Sequence, residues 1–139
     1  GSTTVSPTST TTYTLTASGP GGSLTLQATV TVQSLPTVPG YINYTGNYTQ
    51  SNGINYDYFA VGVNRTAEEV PLSFTYSVTF SGGSIDSYYG NSPSGVFTGG
   101  NAYASIAIPN PHLAGGVSVV ISCPGYSNYT ATLYIANTY

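Results

Sequence analysis

The 139-residue chain has almost no charge: one Arg, no Lys and four acids, 4% of residues, where soluble domains carry about a quarter. Its net charge of −3 comes with no basic surface. Nucleic-acid binding draws on Lys and Arg displacing counterions from phosphates, so a nucleic-acid partner is excluded. Attraction to anionic lipid headgroups fails for the same reason. No run approaches the roughly 20 apolar residues of a spanning helix, so no membrane span is expected. No basic start leads into an apolar stretch, so any secretion signal is expected to have been removed. Met is absent, and Glu, Lys and Arg total three residues, which removes the strong helix formers. Cys123 is the only cysteine, so no internal disulfide can form; it is expected as a small buried residue beside Ile121.

What is present reads as strand. Hydrophobic residues make up 40% and Tyr numbers 14, too apolar a composition for a disordered chain. The apolar residues alternate with polar ones. "LTLQATVTV" puts Leu24, Leu26, Ala28, Val30 and Val32 on one face, with Thr25, Gln27, Thr29 and Thr31 opposite. "PLSFTYSVTF" repeats the pattern with Leu72, Phe74, Tyr76, Val78 and Phe80. Further strands are predicted over 10–17, 42–49, 56–63, 102–108, 117–122 and 129–136, separated by Gly-Gly and Pro-Gly turns. Short strands at this spacing predict an all-β antiparallel sandwich. Residues 1–34 form an N-terminal extension with a strand or hairpin, 35–40 ("LPTVPG") a Pro/Gly linker, and 41–139 the sandwich body.

The triplet Asn-Tyr-Thr occurs at Asn43, Asn47 and Asn128, and Asn64-Arg65-Thr66 adds a fourth Asn-X-Thr acceptor for N-glycosylation. Ten Asn and 21 Thr in 139 residues would supply 10 × 21/139, about one and a half such matches. Strand alternation places Asn43, Thr45, Asn47 and Thr49 in one solvent-facing row, with Tyr44 and Tyr48 packed inward. Covalent N-linked glycans are the expected partners; the plainer reading is that Asn and Thr solubilise an exposed face.

Catalytic chemistry finds little to use. His112, the only imidazole, sits in the loop "NPHLAGG" and is expected at the surface. No Gly-X-Ser-X-Gly elbow surrounds a serine. Asp57 and Asp86 lie in no recognisable motif for acid–base work. Glu68 and Glu69 follow Arg65, where a local ion pair is expected, and the carboxylates are too scattered for calcium. No catalytic residue, metal or cofactor is expected, and so few titrating groups predict stability nearly constant from acid to neutral pH. Tyr88 and Tyr89, in "SIDSYYGNSPSG", are the best candidates for a sugar-stacking platform; loop tyrosines also fill small local cores.

"TTTYTLTASGPGGSLTLQATVTV" resembles the closing hairpin of immunoglobulin-like modules on bacterial and archaeal surfaces, although here it begins the chain. The Thr/Ser lead, scarcity of charge, abundant Tyr and Asn-X-Thr sites together resemble the glycosylated thread-like filaments of thermoacidophilic archaea. That resemblance implies an immunoglobulin-like sandwich whose N-terminal strand, here Thr12, Tyr13, Thr14, Leu15, Thr16 and Ala17, completes the sheet of the next identical subunit. It implies a structural, non-enzymatic homopolymer outside the cell, at its surface. Leu24–Val32 is the alternative donor. A monomeric carbohydrate-binding or adhesin module, and an S-layer or viral surface domain, are the competing functions.

Overall fold

The computed structural model describes residues 2–65, 72–86, 92–98 and 103–137. Among the described residues nine strands run in order: β1 (Thr11–Gly19), β2 (Gly22–Val30), β3 (Gly40–Thr49), β4 (Asn55–Val63), β5 (Phe74–Phe80), β6 (Ser94–Phe97), β7 (Tyr103–Pro109), β8 (Gly115–Ser122) and β9 (Tyr129–Ile135). The described residues contain no helix, as the lack of strong helix formers predicts. The chain divides into two compact units, Gly1–Leu35 and Pro36–Tyr139.

The first unit is the β1–β2 hairpin, a two-stranded sheet of its own. Its antiparallel register pairs Tyr13 with Ala28, Leu15 with Leu26 and Ala17 with Leu24, which puts these six on one face. The other face is hydroxyl-rich, with Thr12 and Thr29 joined at 2.9 Å and Gln27 Nε2 donating to Thr14 Oγ1 at 3.4 Å.

The second unit holds two antiparallel sheets, ordered β3-β4-β7 and β6-β5-β8-β9. Alternation along β4 turns Asp57, Phe59, Val61 and Val63 to one side, and cross-strand pairing sets Ile106 beside Phe59 and Ile108 beside Asp57. The other sheet contributes Phe74, Tyr76 and Val78 from β5 and Val117, Val119 and Ile121 from β8. Apart from Asp57, these side chains merge into a single core with Phe97 and Cys123. Burying a side chain of the Val, Ile or Phe type stabilises by about 1.5–3 kcal/mol, so this shared core is what holds the two sheets together.

Two features depart from simple alternation. The segment read as a linker is built into the body. Val38 is 1% exposed and belongs to the core, its N–H donates to Ser127 O at 3.0 Å, and Pro39 O accepts from Asn64 N–H at 2.8 Å. An apolar residue between two prolines caps the core here instead of spacing two domains. The second departure is a β-bulge in β3: Tyr44 opposes Phe59 while Gly46 opposes Tyr58, which leaves Thr45 as the extra residue. Gly46 has φ +135°, a conformation that side chains with a Cβ rarely adopt. Beyond the bulge every side chain of β3 changes face.

Candidate functional site

The bulge redistributes the glycan acceptors. Asn43 pairs with Ala60 and faces outward, whereas Asn47 pairs with Asp57 and so shares the inner-facing side of β4. Asn43, Thr45, Asn47 and Thr49 are all exposed, but the bulge divides them between the two faces of the strand, so they do not form a single row. Tyr44 is on the inner side as expected, but its edge meets Phe59 while half the residue stays exposed; Tyr48 lies on the outer face against Tyr58. Asn64 is exposed just after β4, and its Thr66 lies outside the described residues. Asn128 and Thr130 are exposed and Tyr129 between them packs toward the core, the arrangement predicted for that triplet.

The inner placement of Asn47 gives it a different partner. Its Nδ2 donates to Asp57 Oδ1 at 3.1 Å, and Tyr44 Oη donates to the same oxygen at 2.9 Å. Asp57 Oδ2 lies 2.7 Å from His112 Nε2. Asp57 and His112 are 7% and 8% exposed, so the imidazole expected at the surface is buried. Its ring edge also meets Phe80 at 5.5 Å between centroids. Burial pushes the Asp57 pKa up, but hydrogen bonds from His112, Asn47 and Tyr44, together with the His112 charge, outweigh it and hold the carboxyl below its ordinary value. Tyr44 is shifted upward, by burial first and then by its bond to the carboxylate.

The chain builds this site because the 110–114 segment is clamped from its other side. Leu113 N–H donates to Gly82 O at 3.2 Å, and a Cβ on Gly82 would stand 2.3 Å from Leu113 O. Only glycine permits that approach, and the approach holds His112 over Asp57.

Chemically the arrangement is a tether. His112 Nε2 is taken by Asp57, and Nδ1 lies 3.1 Å from Leu113 O, so neither ring nitrogen is presented to a substrate. Two open clefts flank the pair, one of about 390 Å³ beside Gly82, Pro111 and Leu113, the other of about 350 Å³ between Tyr44, Leu133 and Tyr134. Among the described residues no three His, Cys, Asp or Glu gather as metal ligands, and no helix is long and apolar enough to cross a membrane.

The pair was missed in the sequence because its members are 55 residues apart. One signal was available: Asp57 falls in the apolar phase of β4, with Phe59, Val61 and Val63. An acid in that phase needs a buried partner, and the chain has only one His and one Arg to supply a positive charge. Arg65 is engaged elsewhere. Its Nη2 donates to Phe97 O at 2.6 Å and its guanidinium lies 5.0 Å over the Phe74 ring. Glu68 and Glu69, expected beside it, lie outside the described residues, as do Tyr88 and Tyr89. Asp86 joins its backbone N–H to Ala107 O at 2.9 Å. Cys123 is buried, its Sγ 3.7 Å from Pro124 O.

The proposed donor residues Thr12–Ala17 all lie in β1, paired with β2 from Thr29 to Leu24. They therefore stand as one half of a hairpin, not as a lone strand. The apolar face of that hairpin is open: Leu15 is 66% exposed, Leu24 62% and Leu26 57%. No protein family, no characterised protein and no solved structure matches the chain.

Proposed function

We propose that this protein is a structural, non-enzymatic subunit of an extracellular, glycosylated surface filament, in which the N-terminal hairpin of one copy docks on the next. The observation that carries the reading is the open face of Leu15, Leu24 and Leu26. A two-stranded sheet is marginal alone in water, and each of these leucines gains about 1.5–3 kcal/mol when covered. A hairpin also keeps one unpaired backbone edge on each strand, which a partner sheet can extend. Such a contact is head-to-tail and generates an open filament unless its rotation closes a ring. The body order, first-second-fifth and fourth-third-sixth-seventh strand, supports an immunoglobulin-like relationship; the fourth strand pairs with the third instead of the fifth, unlike constant-type domains. The engaged ring nitrogens of His112 favour a non-catalytic role.

The test uses the full chain carrying Leu15→Asp and Leu26→Asp together. Negative-stain microscopy and light scattering should show filaments for the parent and monomers for the variant, with the same melting temperature for the body. A parent that stays monomeric at high concentration, or a variant that polymerises unimpaired, would remove the reading.

A further inference from the structure

Of the ten Asn in the chain, only Asn52 is followed by Gly. The pair lies in the loop that joins β3 to β4, and both residues are exposed. Backbone geometry explains the glycine. Gln50 N–H donates to Ile54 O and Gly53 N–H donates back to Gln50 O, each at 2.9 Å, so the chain reverses through Ser51, Asn52 and Gly53. Gly53 closes the turn at φ +80°, in the left-handed region that favours glycine. Nothing lies within 4 Å of where a Cβ would stand, so conformation and not crowding selects the residue.

That choice carries a chemical liability. With no side chain on the following residue, the Gly53 backbone nitrogen is free of steric hindrance as it approaches the Asn52 side chain. Gly53 N gives up its proton to hydroxide and bonds to Asn52 Cγ. The Cγ–Nδ2 bond breaks, and the nitrogen leaves as ammonia after drawing a proton from water. Water then opens the cyclic imide at one carbonyl or the other, which leaves an aspartyl or an isoaspartyl residue. One water enters and one ammonia departs.

The native turn engages each group that this step has to move. The Gly53 proton is held by Gln50 O. Asn52 Oδ1 accepts from Ile54 N–H at 3.0 Å, and Nδ2 donates to Tyr56 Oη at 3.1 Å. Tyr56 is 2% exposed and its ring lies 6.2 Å from that of Tyr58, so its hydroxyl is a fixed post beneath an exposed loop. Gln50 Nε2 donates to Tyr58 Oη, which fastens the start of the same loop.

We propose that Asn52 is a site of spontaneous deamidation held shut by the native turn, with the Tyr56 hydroxyl as its latch. Conversion then proceeds only from states in which the end of the β3–β4 hairpin has opened. The inference is independent of assembly and of glycosylation. An isoaspartyl product lengthens the backbone between Gln50 and Ile54 by one methylene, so a turn once converted no longer closes on the same hydrogen bonds.

The test incubates the full chain at mildly alkaline pH, either folded in buffer or unfolded in guanidinium chloride. Chymotrypsin is the protease of choice, since the chain has no Lys and one Arg for trypsin. Mass spectrometry reads the exchange of amide for acid at each Asn, and isoaspartyl methyltransferase labelling reads the rearranged product. The unfolded chain should convert Asn52 before any other Asn, and more than about ten-fold faster than the folded chain does. Tyr56→Phe should raise the folded rate several-fold and leave the unfolded rate unchanged. Val119→Ala, a core truncation in the other sheet, should leave the folded rate at the parent value. Hydrogen exchange at the Gly53 amide reads the same opening without a substitution, and should be slowed in the parent. Another Asn converting first in the unfolded chain overturns the site. Equal folded and unfolded rates, or an unprotected Gly53 amide, overturn the turn as the barrier. Tyr56→Phe converting no faster than the parent, or no faster than Val119→Ala, overturns the latch.

Discussion

His112→Ala should be among the most damaging single substitutions outside the apolar core. Removing the partner of a buried carboxylate costs about 3–5 kcal/mol, because the charge left behind has lost its compensation. Tyr44 and Asn47 still donate to Asp57 Oδ1, and only Oδ2 is orphaned. The cost therefore falls at the lower end, about 3 kcal/mol. For a unit the size of Pro36–Tyr139 each kcal/mol moves the melting temperature by about 4–8 °C, so a fall of about 12–24 °C is expected. Asp57→Asn is the control. Its amide oxygen still accepts from Tyr44, and its amide nitrogen donates to His112 Nε2 once the ring proton sits on Nδ1, where it meets Leu113 O. That neutral pair is satisfied, and the cost should be about 1 kcal/mol. Urea denaturation at pH 7, followed by circular dichroism, reads both. If His112→Ala costs no more than Asp57→Asn, the stranded charge is not the liability and the reasoning fails.

The acid limb of stability should belong to Asp57. A carboxyl held below its ordinary value of 3.8 stabilises the fold above that pH and loses the contribution as pH falls through the lower, folded value. Melting temperature should thus be level from neutral pH down to about 4 and decline only below, with Asp57→Asn flattening that decline. Gly82→Ala drives a Cβ to 2.3 Å from a backbone oxygen that cannot move aside; calorimetry should show a loss of about 1–3 kcal/mol, the range for overpacking. Cys123, buried in the core, should react with a thiol reagent only at the rate of unfolding, and fast labelling in native buffer would contradict its placement.

The strands were legible wherever one face is dry. β4, β5, β8 and β9 alternate cleanly, and their predicted bounds fall within two or three residues of those observed. β6, four residues long, is too short for alternation to register. The bulge at Thr45 was hidden because Asn-Tyr-Thr-Gly-Asn-Tyr-Thr keeps period two straight through it; only Gly46, which has no side chain to mark a face, hints at the break. Asp57 and His112 were each visible alone. Their meeting was not, since it depends on how closely the Gly82 turn approaches Leu113. Val38 shows the same limit: Pro and Gly mark a change of direction, and whether the residue between them is covered depends on the tertiary fold.

The hairpin's lack of charged side chains from Thr11 to Val30 has a kinetic consequence. Charged surfaces draw partners together and gain orders of magnitude in encounter rate at low salt. This surface has nothing to steer with, so its association with any partner should proceed at about 10⁵–10⁶ M⁻¹ s⁻¹, the neutral rate. The rate should be alike in brine and in dilute buffer, since there is no field for ions to screen. Subunit supply, and not the ionic composition of the surroundings, would then set how fast such an assembly grows.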